Sequence, residues 1–216
     1  MRSDFPDIYT PRELRRYLYH RVHLSCECVV LLLHKPHGEM SFARVGDDSW
    51  TLVTQSETVP WNCCYRSAAF NSKDGLFYVL SSDCSIYAFD LNGPSPVARK
   101  KIIERAAQWE DLASYIVFAP WGDILHVWSS DLQEHALFLG FNSSLLISTK
   151  DFPRLKPNCA YMTDDAWEQI SINMYGSRDV GIWDFQTETL ECLGDVHSTP
   201  SRLDWPPPIW ITPSLT

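Results

Sequence analysis

Residues 75–91 read GLFYVLSSDCSIYAFDL, and this stretch decides the fold class of the chain. Two runs rich in aromatic and branched aliphatic residues, 75–80 and 85–91, flank the polar turn Ser81-Ser82-Asp83-Cys84. Runs that alternate in character along their length form strands, and a short polar turn between them lets the chain fold back on itself. The stretch therefore predicts an antiparallel β-hairpin.

The same pattern returns at Ser114, 39 residues after Gly75, as SYIVF, the turn APWGD and ILHVW. Further strands are predicted at residues 29–33, 41–45, 50–53, 136–140, 145–148, 159–163 and 180–185. Strand pairs that recur with a period near forty residues are typical of a β-propeller, in which each repeat is one blade. A β-sandwich is the alternative, since it gives similar strand spacing without the period. We therefore predict an all-β fold of consecutive antiparallel hairpins.

The two ends of the chain differ from this pattern. Thr10 can cap a helix that begins at Pro11, so we predict a short helix within an N-terminal segment, residues 1–21. The propeller-type domain is expected at residues 22–204. Residues 205–216 are rich in proline and tryptophan and cannot form a regular hydrogen-bonded strand, so they are expected to pack along the domain. The alternative for this segment is an exposed ligand for a proline-recognising module.

Composition limits the classes of partner and compartment. Hydrophobic residues make up 45% of the 216 residues, which is enough for a folded core, but the longest apolar runs are too short for a membrane helix. The net charge of -9 disfavours nucleic acid and anionic membrane surfaces as partners. Seven cysteines without framework spacing, and no secretory signal, predict a reducing compartment, the cytoplasm, the nucleus or both.

Motifs for catalysis and for metal or cofactor binding are not found in the sequence. The close pairs Cys26 with Cys28, Cys63 with Cys64 and His34 with His37 lack a second pair at the spacing that zinc sites need. Nucleophile-elbow, phosphate-loop and His-Glu-x-x-His motifs are missing as well. We therefore expect no catalytic, cofactor or metal residues and no enzymatic activity.

Binding to another protein is the function that the aromatic residues favour. Five tryptophans lie at or near predicted turns, where a propeller presents its loops: Trp61, Trp109, Trp121, Trp128 and Trp167. Tryptophan often anchors a partner surface, although packing between blades is its commoner role. Four of these residues are candidates for partner contact: Trp61, Trp109, Trp121 and Trp167.

Six further stretches of the sequence form a recognisable set: YHRV at residues 19–22, SFARVGDDSWTL at 41–52, GLFYVL at 75–80, ALFLG at 136–140, DFPRLKPNC at 151–159 and WPPPIW at 205–210. In this order they resemble the plant F-box-associated domain of the KIB type. The resemblance runs from about Tyr9 to the C-terminus. It implies a β-propeller that selects protein targets for a cullin-type ubiquitin ligase, after an F-box has docked the adaptor subunit. The motif residues expected to be structural are Phe152, Lys156, Pro157, Asn158, Trp205 and Trp210.

The chain departs from that family pattern in two places. No F-box precedes residue 22, so direct docking to the adaptor is not expected. The connection at residues 128–135 is shorter than usual, and a strand pair expected before Ala136 is missing, so the propeller should be incomplete. Strand edges left open in this way favour self-association.

The function expected from the sequence is therefore recognition of a protein target, of unknown identity, without an F-box of its own. One alternative is a propeller that binds or transforms a small molecule in its central channel. The other is a degraded, non-functional member of the family.

Overall fold

The structure is a computed structural model, and it describes residues 19–26, 28–34, 38–53, 64–93, 97–103, 115–127, 132–140, 144–163, 180–192 and 210. These residues form fifteen strands in four sheets and no helix. Sheet A contains β1–β4, at Tyr19–Leu24, Val29–His34, Met40–Arg44 and Thr51–Leu52. Sheet B contains β5–β8, at Tyr65–Asn71, Leu76–Ser81, Ile86–Asp90 and Val97–Ile103. Sheet C contains β9 and β10, at Tyr115–Phe118 and Ile124–Val127. Sheet D contains β11–β15, at His135–Leu139, Leu145–Ser148, Cys159–Met162, Gly181–Asp184 and Thr189–Cys192.

The predicted all-β class and its consecutive hairpins are confirmed. The stretch that begins at Gly75 forms the antiparallel pair β6 and β7, and its repeat forms β9 and β10. Sheet D adds one feature that the sequence did not predict, because β11 and β13 pair in parallel. A parallel pair needs a long connection, and here β12 and the loop 149–158 supply it.

The run LFYVL in β6 is apolar throughout because sheet B is covered on both faces. Phe77 and Val79 pack against sheet A, whereas Tyr78 and Leu80 pack with Ile116 of sheet C. A strand buried on both faces has a continuous apolar sequence rather than an alternating one.

Sheet C continues the stack, because a further apolar cluster joins its strand β9 to Leu137 and Leu139 of sheet D. The four sheets therefore stack face to face, in chain order. The strands β1, β5 and β9 lie next to one another as the inner strands of their sheets. Together with sheet C, which has two strands in the described residues, this is the arrangement of an incomplete β-propeller.

The ends of the chain are described only in part. Residues 11–18 of the predicted helix lie outside the described residues, and Tyr19 and His20 are the first residues of β1. Within residues 205–216 only Trp210 is described. Its indole ring packs edge-on against Phe138, and its Nε1 donates a hydrogen bond of 2.7 Å to the carbonyl of Leu139.

Asn158 holds the parallel connection of sheet D in place. Its backbone has a positive φ of 53°, a conformation that asparagine tolerates better than most residues. Its Oδ1 accepts a 2.9 Å hydrogen bond from the Leu132 amide, and its own amide donates one of 2.9 Å to the His135 carbonyl. The Phe185 amide donates to the Asn158 carbonyl at 3.3 Å, so this one residue links the ends of three strands.

We expect Asn158→Ala to lower the free energy of unfolding by about 1 to 3 kcal/mol, because the buried Leu132 amide loses its acceptor and alanine disfavours positive φ. Asn158→Asp keeps an oxygen acceptor and tolerates the same backbone, so it should cost much less. Urea unfolding followed by circular dichroism measures both variants. Equal losses for alanine and aspartate would show that the side-chain acceptor is unimportant.

Candidate functional site

Turns from three sheets meet at one end of the stack, which we call the turn end. The Val45 amide donates to the Cys28 carbonyl at 3.1 Å, which joins the two turns of sheet A. Arg44 reaches across to sheet B, where its guanidinium donates to the carbonyls of Leu91, at 2.6 Å, and Gly93. Sheet B in turn contacts sheet C at the same end, because Lys73 Nζ donates to the Trp121 carbonyl at 3.4 Å.

Among the residues that the structure describes, Trp121 is the most exposed aromatic residue at the turn end, with 55% of its surface accessible. Its Nε1 donates a 2.8 Å hydrogen bond to Asp123 Oδ2, and its ring meets the His135 ring edge-on at 5.2 Å between centroids. The indole is thus held in one orientation while much of its apolar surface faces solvent. A side chain fixed in advance loses less conformational entropy on binding.

Gly122 brings Lys73 close to this tryptophan. Its φ is 107°, and a Cβ at this position would lie 2.6 Å from Lys73 Nζ. The glycine therefore both permits the turn and leaves space for the ammonium group. As a result, a positive charge from sheet B lies beside Trp121 of sheet C.

Further charged side chains belong to the turn of Trp121 or adjoin His135 in the chain. Asp123 lies in the same turn, and Glu134, next to His135, forms a 2.5 Å ion pair with Lys150. The hydrogen bond that Lys150 donates to Glu134 raises the pKa of Lys150. An exposed aromatic centre with a polar, charged margin has the composition of a protein interface. We call Lys73, Trp121, Asp123, His135 and Glu134 the Trp121 surface.

The structure describes one of the four tryptophans predicted to contact a partner. Trp121 is exposed and belongs to the Trp121 surface, whereas Trp61, Trp109 and Trp167 lie outside the described residues. Sequence reasoning missed Lys73 and His135, which reach Trp121 only through the stacking of the sheets. It also missed Trp50, which is 52% exposed in the β3–β4 turn. Asp123 was predictable from the local sequence, because an aspartate two residues after a tryptophan in a turn can accept a hydrogen bond from the indole N–H.

The residues expected to be structural make contacts within sheet D where they are described. The Lys156 amide donates to the Tyr161 hydroxyl at 2.8 Å, and its ammonium group pairs with Glu191. Asn158 joins three strand ends, as described above. Phe152 is 42% exposed in the loop after β12, Pro157 lies in the same loop, and Trp205 is outside the described residues.

A second group of polar residues lies on the inner strands. The Arg21 guanidinium carbon is 4.3 Å from the centroid of the Tyr115 ring, and both residues are buried. His23, on the same face of β1, is 1% exposed. Burial and then the charge of Arg21 lower the pKa of His23 to about 3, so this imidazole is neutral at pH 7.

These inner residues fill the space between sheets and offer little access to a ligand. Among the residues that the structure describes, no three His, Cys, Asp or Glu side chains come close enough together to hold a metal ion. No helix in the same residues is long and apolar enough to cross a membrane. The turn end, with its exposed tryptophan, is therefore the better candidate for a functional site.

Comparisons with known proteins give a family and one distant relative. A family model described as KIB1-4 beta-propeller matches residues 2–130 and 126–184. F-box protein SKIP23 of Arabidopsis thaliana is 29% identical over 83 residues, which is 38% of this chain and 20% of that protein. The matched region thus spans about a fifth of the relative's length. No solved structure matches significantly. The two family segments meet at residues 126–130, beside the connection at residues 128–135 that is expected to be short.

Proposed function

The chain belongs to the KIB1-4 β-propeller family, and from this premise we propose that it is a protein-recognition domain whose Trp121 surface binds a target protein. The observation that carries the proposal is an exposed tryptophan held by a hydrogen bond from its own indole to Asp123. A monomeric protein gains little stability from a large aromatic side chain left in water. Tryptophan is also enriched among the residues that dominate binding energy at protein interfaces.

The charged margin favours a polar protein target over an apolar one. Lys73 places a positive charge and Asp123 a negative charge beside Trp121, and the Glu134–Lys150 ion pair adjoins His135 in the chain. Mixed charges at a margin contribute to selectivity and association rate more than to affinity. The target should therefore present an apolar pocket for the indole within a surface of mixed charge.

We further propose that the targets are substrates of a cullin-type ubiquitin ligase, in the cytoplasm, the nucleus or both. The resemblance to F-box-associated propellers and the similarity to an F-box protein support this role. In this role the chain recognises the substrate, without catalysing a reaction itself. A copy that recognises targets without joining a ligase would compete for them and protect them from ubiquitination.

Affinity purification of the tagged chain from plant cells, followed by mass spectrometry, tests the proposed surface. We expect Trp121→Ser to reduce the recovery of specific partners at least about tenfold, since hot-spot truncations cost 2 kcal/mol or more. Phe152→Ser is the matched control, because it removes another exposed aromatic residue, on sheet D. If Trp121→Ser keeps the partners of the unchanged chain, the target does not bind at Trp121.

The same experiment separates ligase recruitment from recognition alone when a version with an added F-box is purified in parallel. Recovery of adaptor and cullin subunits only with the added F-box would indicate that the chain supplies recognition. Their recovery with the unchanged chain would show that it contains a docking surface of its own. Recovery of chaperones alone would favour the degraded, poorly folding alternative.

A further inference from the structure

Lys73 is held at the Trp121 surface by the turn that carries it. Its amide donates to Asn71 Oδ1 at 3.1 Å, and the Gly75 amide donates to the Asn71 carbonyl at 2.9 Å, so the backbone of the β5–β6 turn is fixed. From this turn the side chain crosses to sheet C, where its Nζ donates to the Trp121 carbonyl at 3.4 Å. The ammonium group therefore lies against the backbone of the residue that carries the exposed indole.

The carboxylates of these two turns do not pair with Lys73. Asp74 accepts a 2.7 Å hydrogen bond from the Tyr78 hydroxyl and one of 3.1 Å from a backbone amide at the start of β6. Asp123 Oδ2 accepts the hydrogen bond from the Trp121 indole. In the part of the chain that the structure describes, the ammonium group of Lys73 has one hydrogen bond and no ion pair.

Two other exposed lysines do have carboxylate partners. Lys150 pairs with Glu134 at 2.5 Å, and Lys156 pairs with Glu191. The chain contains 27 acidic and 18 basic residues, so acidic partners are in excess. An ammonium group has three N–H donors, and the 3.4 Å bond of Lys73 is longer than a usual N–H···O hydrogen bond. Lys73 is therefore able to bind an anion that another molecule supplies.

We infer that the target protein presents an Asp or Glu side chain to Lys73, beside the apolar side chains that pack against the Trp121 indole. The inference rests on the proposed recognition role of the Trp121 surface and names the kind of target segment that it takes. In an extended segment, side chains two residues apart point to the same side and lie about 7 Å apart. The ammonium group is about one side-chain length from the indole, so an acidic and an apolar residue at this spacing reach both groups.

A carboxylate fits this position better than a phosphate group. A phosphate on a side chain carries up to two negative charges and is typically bound by a cluster of arginines. Among the described residues, Lys73 is the one cation that contacts Trp121. The carboxylate of Asp123 lies in the same turn and repels a doubly charged group more strongly than a singly charged one. One carboxylate balances the single charge of Lys73.

Selection of short random peptides on the immobilised full chain tests this inference. We expect the recovered peptides that lose binding in Trp121→Ser to share an acidic residue two positions from an apolar one. Their affinity is measured by fluorescence anisotropy with synthetic peptides. It should fall at least about tenfold in Lys73→Glu, because a like charge then faces the carboxylate, and by a smaller factor in Lys73→Ala.

Lys156→Glu is the matched control for the charge reversal. It changes the net charge of the chain by the same amount, but it lies on sheet D, where the Lys156 side chain is 52% exposed. The backbone amide that donates to Tyr161 is kept in this variant. Peptide affinity should stay unchanged in Lys156→Glu. An equal loss in Lys156→Glu and Lys73→Glu would reflect net charge alone and would overturn the inference.

Exchange of the two charges tests the contact directly. A peptide whose acidic residue is replaced by lysine should bind Lys73→Glu at least about tenfold more tightly than it binds the unchanged chain. Peptides that need Trp121 but bind Lys73→Glu equally well overturn this inference and leave the proposed function intact. Tighter binding with phosphoserine at the acidic position overturns the assignment of a carboxylate. If no recovered peptide needs Trp121, the inference fails, and purification of the tagged chain with Trp121→Ser decides separately on the proposed function.

Discussion

Replacing Gly38 with alanine should destabilise the protein by about 3 kcal/mol or more, the sum of a left-handed backbone cost and a steric clash. Gly38 has a φ of 63°, and an added Cβ would lie 2.6 Å from Cys64 Cα and 2.7 Å from the Tyr65 amide nitrogen. These are backbone atoms of another sheet and cannot rotate away. The turn would have to move, which would break the 3.0 Å hydrogen bond from the Tyr65 amide to the Gly38 carbonyl.

Gly46→Ala is the matched control for this prediction. Gly46 also has a positive φ, of 100°, but no atom lies within 4 Å of an added Cβ. Gly46→Ala should therefore lower the free energy of unfolding only by the cost of holding alanine at a positive φ, about 1 kcal/mol. Urea unfolding monitored by tryptophan fluorescence compares the two variants. If they lose the same stability, the approach of the sheet A turn to Cys64 contributes nothing to folding.

The sequence predicted Gly38 as part of a turn, yet it could not show what the turn touches. The turn signal at residues 35–38 is local, because proline restricts the backbone and glycine gives it more freedom only at their own positions. The contact with Cys64 depends on how sheets A and B stack. In the same way the run at residues 75–80 predicted a strand, while its burial on both faces became apparent only from its packing against sheets A and C.

The candidate site was predictable to the same extent. Trp121 was found from its position in the turn 119–123, and its indole acceptor Asp123 is two residues away. Lys73 and His135 come from other sheets, and no spacing in the sequence connects them to Trp121. The parallel pairing of β11 and β13 was also missed, since hairpin patterns predict only neighbours that are antiparallel.

Strand β2 shows a further limit of sequence patterns. The apolar run at residues 29–33 predicted one buried strand, and the structure places its alternate residues on two different faces. The face with Leu31 is covered by sheet B, whereas the face with Val30 continues to Leu24 and Leu52, which are more than 45% exposed. A run that is apolar at every position does not show which of its residues pack against a neighbouring sheet and which lie on the other face of their own sheet.

Below pH 6.5 the protein should lose stability steadily, and His23 should account for a large part of that loss. The unfolded imidazole has a pKa of 6.5, whereas burial and the neighbouring Arg21 lower the folded pKa to about 3. Between these values the unfolded chain binds a proton at His23 and the folded chain does not. The free energy of unfolding therefore falls as the pH falls, by up to about 1.4 kcal/mol per pH unit from this residue.

His23→Gln separates this residue from all other titrating groups. Any packing loss caused by glutamine is present at every pH, so it cancels when each protein is compared with itself at pH 7.5 and pH 5. All carboxylates and all other histidines are common to both proteins. They include the half-buried His34, whose pKa is also lowered by burial. The unchanged chain should lose about 2 kcal/mol more than His23→Gln over this range, by proton linkage.

Urea unfolding at five pH values between 7.5 and 5 measures this difference. Two curves that stay parallel would mean that His23 is protonated as easily in the folded protein as in the unfolded chain, and so is not enclosed between the sheets. A steeper loss in His23→Gln would reverse the sign and require a partner that stabilises the charged imidazole. The expected result, a shallower curve for the variant, would identify the buried inner strand β1 as an acid-sensitive part of the propeller core.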